Sequence, residues 1–242
     1  MTQYQAWILD ADYHRVAYLD KWLSLNYRVG LNQACRASIN LPANDAKVLL
    51  CTLPSRLHII RDGALVWGGM LGLEAWTIEE TAPAGDVWAL DAMDYTTYLD
   101  WRTIIRPAGQ DFDTRSGPAD DLAKAYVYYH AGLGAAAARQ FSDLSVQGNA
   151  GACASVTKLW VGGTVLEHLQ RLGEETGIYW RIVPQADGCE FRTGYPIWGL
   201  DRSRGNGIND ELVFAVDRHN VSKMSYKRDL SDHRNYLYMG GA

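Results

Sequence analysis

The stretch Leu57–Gly72, LHIIRDGALVWGGMLG, decides how this chain begins to fold. Leu57 to Ile60 and Ala64 to Trp67 are β-rich runs on either side of Asp62-Gly63. An Asp-Gly pair between such runs is the preferred chemistry for a two-residue turn, because that turn needs positive φ. The spacing predicts a hairpin. Its second strand then meets Gly68, Gly69 and Gly72, and glycine inside a strand marks a bulge, a barrel corner or the close approach of another backbone.

Upstream, the pattern is also β. Trp7-Ile-Leu9 and Val16-Ala-Tyr-Leu19 flank the polar turn Asp10 to His14 and predict a first hairpin, and Trp22 to Arg28 continues as a third strand. From Cys35 to Leu41, apolar Cys35, Ala37, Ile39 and Leu41 alternate with Arg36, Ser38 and Asn40, the period of a strand with one buried and one wet face. Pro42 and Asn44-Asp45 end that strand and start a short helix over Ala46 to Leu50. Downstream, Leu73 to Ile78 and Val87 to Leu90 supply further strands. Short strands at close spacing, with glycine at the bends, predict a small closed or nearly closed barrel.

The character changes after Asp91. Tyr95 to Trp101 reads as a short helix, and Arg106 to Pro118, rich in turn formers, reads as a connector. Pro118 opens a helix to about Tyr129, with Asp120 and Asp121 at the positive end of its dipole and Leu122, Ala125 and Tyr129 on one face. Gly132 stops it. Phe141 to Lys158 carries no clear periodicity. Thr164 to Glu167 is a capping box opening a helix whose stripe is Val165, Leu166, Leu169 and Leu172, with Gly177 as its stop. Ile178 to Val183 and Cys189 to Arg192 form a strand pair, so helix and hairpin make a small α+β module. Glu211 to Val216, Val221 to Tyr226 and Tyr236 to Met239 return to β.

Composition excludes several classes. The chain of 242 residues is 48% hydrophobic and 21% charged, has no long uncharged run suited to a bilayer, and begins MTQYQAWILDADYHR without the basic and apolar regions of a secretion signal. A soluble fold is expected. Cys35, Cys51, Cys153 and Cys189 form no CxxC pair and read as reduced core residues. A net charge of −5 with no isolated basic cluster argues against gripping nucleic acid. Nine Trp and fourteen Tyr against four Phe favour rings with one wet edge, as on half-exposed sheets or interfaces.

Catalytic and cofactor motifs are missing. Gly132-Leu-Gly134-Ala-Ala-Ala137 has GxGxxA spacing, but it follows a predicted helix and no acid trails it, so no dinucleotide site is expected. Gly162-Gly163 before the capped helix lacks a P-loop lysine, and Glu167 already occupies the helix end. The histidines, His14, His58, His130, His168, His219 and His233, show no ligand spacing, and surface or capping roles suffice for them. Glu79-Glu80, Asp120-Asp121 and Glu174-Glu175 read as solvated helix ends or loops, since adjacent carboxylates seldom face each other across a cleft. No catalytic, cofactor-binding or metal-ligating residue is assigned.

In order, the landmarks resemble the baseplate hub, or tail-tip, proteins of long-tailed bacteriophages, above all the siphovirus Gp37-like minor tail family. The resemblance runs through LDKWLSLNYRVGLNQACRASINLP (Leu19–Pro42), LHIIRDGALVWGGMLG, LDAMDYTTYLDWRTI (Leu90–Ile104), GTVLEHLQRLGEETGIYWRI (Gly163–Ile182) and the closing GLDRSRGNGINDELVFAVDRHNVSKMSYKRDLSDHRNYLYMGG (Gly199–Gly241). Most of the chain is covered, and each motif is a fold signature without a catalytic residue.

The resemblance implies a mainly β, α+β fold. Residues 1–105 would form a tail-tube-like barrel with a covering helix, 106–160 a connector with a helix, 161–220 the α+β module, and 221–242 a β segment of a second barrel or interface. It implies a non-enzymatic structural protein of the virion tail tip or baseplate, assembled in the host cytoplasm without stable membrane insertion. The partners implied are two further copies in a homotrimeric ring, a tail tube or distal tail protein above, tip, spike or fibre proteins below, and a tape measure protein in the lumen. DNA would pass without specific binding. In such a ring the glycines after Trp67 would admit a neighbouring subunit's backbone, with Trp67 filling the space between barrel and covering helix. Members of that family run on past the closing motif, whereas this sequence ends at Gly240-Gly-Ala242; the second barrel is therefore expected to be truncated, completed by another chain or reduced. Other classes that fit the composition are a carbohydrate-recognising receptor module and a cell-wall hydrolase.

Overall fold

The computed structural model describes residues 2–77, 86–203, 205, 207–210 and 212–213. The chain divides into two units, Met1–Gly199 and Leu200–Ala242. The first opens with the expected hairpin, β1 (Tyr4–Leu9) and β2 (Arg15–Leu19), followed by β3 (Ser24–Tyr27) and β4 (Arg36–Pro42). In β4, Ala37, Ile39 and Leu41 are buried and Arg36 is exposed, so the alternation sets the faces. The short helix at Ala46–Leu50 is a 3-10 turn, capped by Asp45, whose carboxylate accepts from the Lys47 N–H. β5 (Arg56–Arg61) and β6 (Ala64–Thr77) form the deciding hairpin, with Asp62 and Gly63 at φ of 51° and 81°.

The glycines do not break β6. It runs for 14 residues against β7 (Val87–Asp94), and the register shifts between Leu71 and Leu73, where Gly72 is the extra residue of a bulge. The separate strand expected from Leu73 is the second half of β6; Ile78 and Glu79-Glu80 lie outside the described residues. A Cβ at Gly69 would stand 2.1 Å from the Met93 carbonyl oxygen, and one at Gly68 would stand 2.6 Å from Pro184 Cβ. The backbone admitted at Gly69 therefore belongs to β7 of the same chain, which corrects the expectation of a neighbouring subunit there.

All seven strands form one antiparallel sheet in the order β2-β1-β5-β6-β7-β4-β3. β1 and β3 lie five strand positions apart, about 24 Å in a flat sheet. The Tyr4 and Tyr27 rings nevertheless sit 6.3 Å apart edge to face, so the sheet is rolled. No ladder joins β2 to β3 among the described residues, over which the roll is therefore unclosed. Its inside is one apolar cluster including Ile8, Leu19, Ile39, Leu57, Ile59 and Leu90, with Trp67 buried among them and donating from Nε1 to the Arg28 carbonyl.

The rest of this unit builds a second core from α1 (Thr97–Asp100), β8 (Asp113–Pro118), α2 (Ala119–His130), β9 (Leu144–Val146), β10 (Ser155–Trp160), α3 (Val165–Thr176), β11 (Tyr179–Gln185) and β12 (Gly188–Gly194). The stretch read as a connector holds β8, paired antiparallel with β10, and the stretch without clear periodicity holds β9 and β10. On α2 the buried face is Leu122, Ala123, Tyr126, Val127 and His130; Ala125 and Tyr129 lie off it, which corrects the expected stripe. The capping box of α3 forms as expected, Thr164 accepting from the Glu167 N–H and Glu167 from the Thr164 N–H, and Gly177 ends the helix at φ 73°. Val165, Leu169 and Leu172 are its buried stripe.

In the second unit, the Ser203 N–H donates to Asp201 Oδ1 at 2.8 Å and the Leu212 N–H to the Arg202 carbonyl at 3.0 Å. The strands expected over Glu211–Val216, Val221–Tyr226 and Tyr236–Met239 lie outside the described residues except for Leu212 and Val213, which carry no strand. Among the described residues no helix is long and apolar enough to cross a membrane.

Candidate functional site

Polar side chains converge where the rolled sheet meets the second core. Tyr13 enters from the β1–β2 turn at φ 65°, Arg56 and His58 from β5, Tyr95 and Tyr98 from the approach to α1 and from α1 itself, and Asp143 from the segment before β9. Asp143 Oδ2 accepts from Tyr13 Oη at 2.6 Å, Tyr98 Oη at 2.9 Å and Arg56 Nη2 at 3.0 Å. Arg56 Nη1 also donates to the Asp10 and Ala11 carbonyls, and its guanidinium lies 4.2 Å from the centre of the Tyr13 ring. His58 Nε2 lies 3.1 Å from Tyr95 Oη.

Burial and charge set the protonation states. Burial pushes the Asp143 carboxyl up, but the hydrogen bonds from Tyr13, Arg56 and Tyr98 outweigh it and hold the group below the usual carboxylate range. Tyr13, Tyr95 and Tyr98 are raised, chiefly by burial, and stay neutral donors. Burial, with Arg56 and Arg15 adding to it, lowers His58 to about 4, so its ring is neutral at pH 7. Chemically this is an anchor: the carboxylate is already engaged by three donors and is largely buried.

Asn32 makes a second link. At φ 57° its amide side chain imitates a strand residue toward β11, accepting from the Trp180 N–H at 2.7 Å and donating to the Ile178 carbonyl at 3.0 Å. A third polar group lies on α2. Lys124, buried, reaches Asp120, Asp121 and the Gly148 carbonyl; Asp120 accepts from the N–H groups of Ala152 and Cys153, and Asp121 from those of Ala150 and Gly151. This pair therefore clamps the 148–153 loop, where the sequence suggested a solvated helix end.

Two histidines also depart from surface roles. His58 and His130 are buried, and His130 Nε2 lies 2.7 Å from Asp113 Oδ2. The four cysteines are free, as expected, with Cys35, Cys51 and Cys189 buried. Asp10, Asp12 and His14 bring ligand-type atoms within 4.8 Å of one another, but Asp10 Oδ1 already accepts from the Asp12 and His14 N–H groups and Oδ2 faces His14 Nδ1. A groove of about 590 Å3 runs along β3, lined by Tyr4, Trp22, Leu23, Ser24, Leu25, Asn26 and Tyr27, without an acid or histidine.

Arrangement and sequence together agree with one family. The model of the Siphovirus ReqiPepy6 Gp37-like protein family matches residues 5–242. The chain belongs to that phage tail protein family. Among solved structures, the fold resembles a tail protein from Neisseria meningitidis MC58, with a TM-score of 0.50 and 13% identity over 78% of this chain and 50% of that one. It also matches the 43 kDa tail protein of prophage MuSo2 from Shewanella oneidensis, at a TM-score of 0.46 and 11% identity over 78% and 54%. An E. coli component of the type VI secretion system, described as similar to the T4 tail proteins gp27 and gp5, matches at 0.41 and 12% over 71% and 45%. The chain thus spans about half the length of the tail proteins it resembles. No curated protein matches it in sequence.

Proposed function

We propose that this chain is a structural subunit of the tail tip or baseplate hub, three copies of which form a ring joining the tail tube to the tip around the DNA channel. The observation that carries the reading is the rolled, unclosed sheet tied through a buried Asp143–Arg56–tyrosine anchor to a second core, within a phage tail protein family. Such a sheet is a wall element whose free edges can pair with neighbours, and the anchor supplies rigidity rather than chemistry. The second core already takes in Tyr95, Tyr98, Leu99 and Ile104, so the sheet proper ends at β7 and α1 packs with the second core. The net charge of −5 suits a channel that DNA passes without sticking. A tail tube or distal tail protein above, tip or fibre proteins below and a tape measure protein in the lumen complete the proposed assembly. Native mass spectrometry should show three copies of the 27.0 kDa chain; a persistent monomer in the presence of the other tail proteins contradicts the ring.

One observation favours a second reading, a carbohydrate-recognising module. The groove along β3 brings Tyr4, Trp22 and Tyr27 together with Ser24 and Asn26, the mixture of stacking rings and hydrogen-bonding groups that holds sugars. Glycan-array binding by the isolated chain, lost in Trp22→Ala, would favour it.

A further inference from the structure

Among the described residues, the second half of β6 has a strand on one side only. β5 pairs with β6 only from Ala64 to Met70, and the Leu71 N–H donates to the Ser55 carbonyl. From Leu73 to Thr77, β6 is paired on one side alone, to β7, so half of its backbone N–H and C=O groups face no strand among the described residues. Leu73, Glu74 and Ala75 are consecutive and all exposed, so over these three residues both faces of the strand are open. Between Gly72 and Thr77 the sequence has no proline or lysine, and Glu74 is its one charge. The same chain offers a second free edge. Among the described residues β3 pairs only with β4, and its other side opens into the groove lined by Tyr4 and Trp22 to Tyr27.

Charge selects how these edges meet. From Asp62 to Trp101 the sequence holds no Lys or Arg, while Glu74 lies on this strand half and Asp86 directly precedes β7. From His14 to Arg61 it holds Arg15, Lys21, Arg28, Arg36, Lys47, Arg56 and Arg61 against only Asp20 and Asp45. Lys21 and Arg28 flank β3 and are exposed. β6 against β6 would oppose acids, and β3 against β3 would oppose bases, so a symmetric pairing of either edge is disfavoured. We infer that the free edge of β6 from Leu73 to Thr77 in one copy adds to the free edge of β3 in a second copy, continuing the sheet from subunit to subunit. This contact joins two different edges, and a head-to-tail contact closes into a ring when its rotation allows. The inference rests on the proposed ring and supplies its junction.

The test is cross-linking between two full-length single variants, Ala75→Cys and Asn26→Cys, carrying different tags and mixed under mild oxidation. Both positions are exposed, so near-ultraviolet circular dichroism is expected to match the parent chain. The expected result is a disulfide-linked dimer carrying both tags, in excess over the products of either variant alone or of the parent, whose native cysteines serve as background. Glu74→Lys added to the Ala75→Cys chain should lower the yield roughly fivefold, and Lys21→Glu added to the other chain should restore it. A mixed-tag yield no higher than background, or a product dominated by Ala75→Cys with itself, overturns the junction. If native mass still shows a trimer without that cross-link, only the junction fails; if no assembly forms, the ring fails with it.

Discussion

At the scale of single residues, the anchor around Asp143 concentrates the largest energies. Asp143 and Arg56 are both largely buried, so removing one leaves the other charge without its partner. Asp143→Ala is expected to cost about 3–5 kcal/mol in urea unfolding, whereas Tyr98→Phe, which removes one of three donors, should cost about 1 kcal/mol. His58 adds a pH dependence of definite sign. Its folded pKa is about 4 against 6.5 in the unfolded chain, so between those values the unfolded chain binds more protons and stability falls as pH falls. Asp94, raised to about 6 chiefly by burial, works the other way: its contribution is complete below about pH 4 and is lost as pH rises through 6. The two oppose each other, and a His58→Gln variant separates them. The stability difference between parent and variant should shrink by about 3 kcal/mol from pH 7 to pH 4. None of this was legible in the sequence. Asp143 stands in a segment without periodicity, and its donors come from positions 45 to 130 residues away. A histidine with no ligand spacing reads as a surface residue, and only the tertiary packing around β5 buries His58.

At the scale of elements, local chemistry specified most of what formed. Asp62-Gly63 fixed a turn, alternation fixed the faces of β4, and Thr164 with Glu167 fixed the start of α3, because each signal lies within a few residues. β8 was hidden because Asp113 to Pro118 contains Gly and Pro, which strands disfavour, and its pairing with β10 spans some forty residues. Asp120 and Asp121 were read correctly as first-turn acids of α2 but not as clamps on the 148–153 loop, whose amides give no signal of their own. Lys124→Ala should uncouple that loop, seen as faster hydrogen exchange at Ala150 to Cys153 with a loss of about 3–5 kcal/mol. In β6, Gly69→Val should destabilise the monomer itself, lowering its melting temperature, because its Cβ would collide with the Met93 carbonyl of β7. A variant that melts like the parent would show that β6 and β7 do not approach as closely as described.

At the scale of the whole molecule, the order of landmarks carried more than any one of them. Family membership was readable because fold signatures recur in sequence from Leu19 to Gly241. The roll of the sheet was only half legible: short strands with glycine bends suggested closure, but whether β2 meets β3 depends on summed twist, which no single residue encodes. The proposed ring makes these edges its junctions. Cryo-electron microscopy of tails containing this chain measures that directly. Threefold density at the tip, with three rolled sheets facing the channel, is the expected result. A single off-axis copy, or density for this chain only on the outer surface of the tail, would contradict the proposed ring.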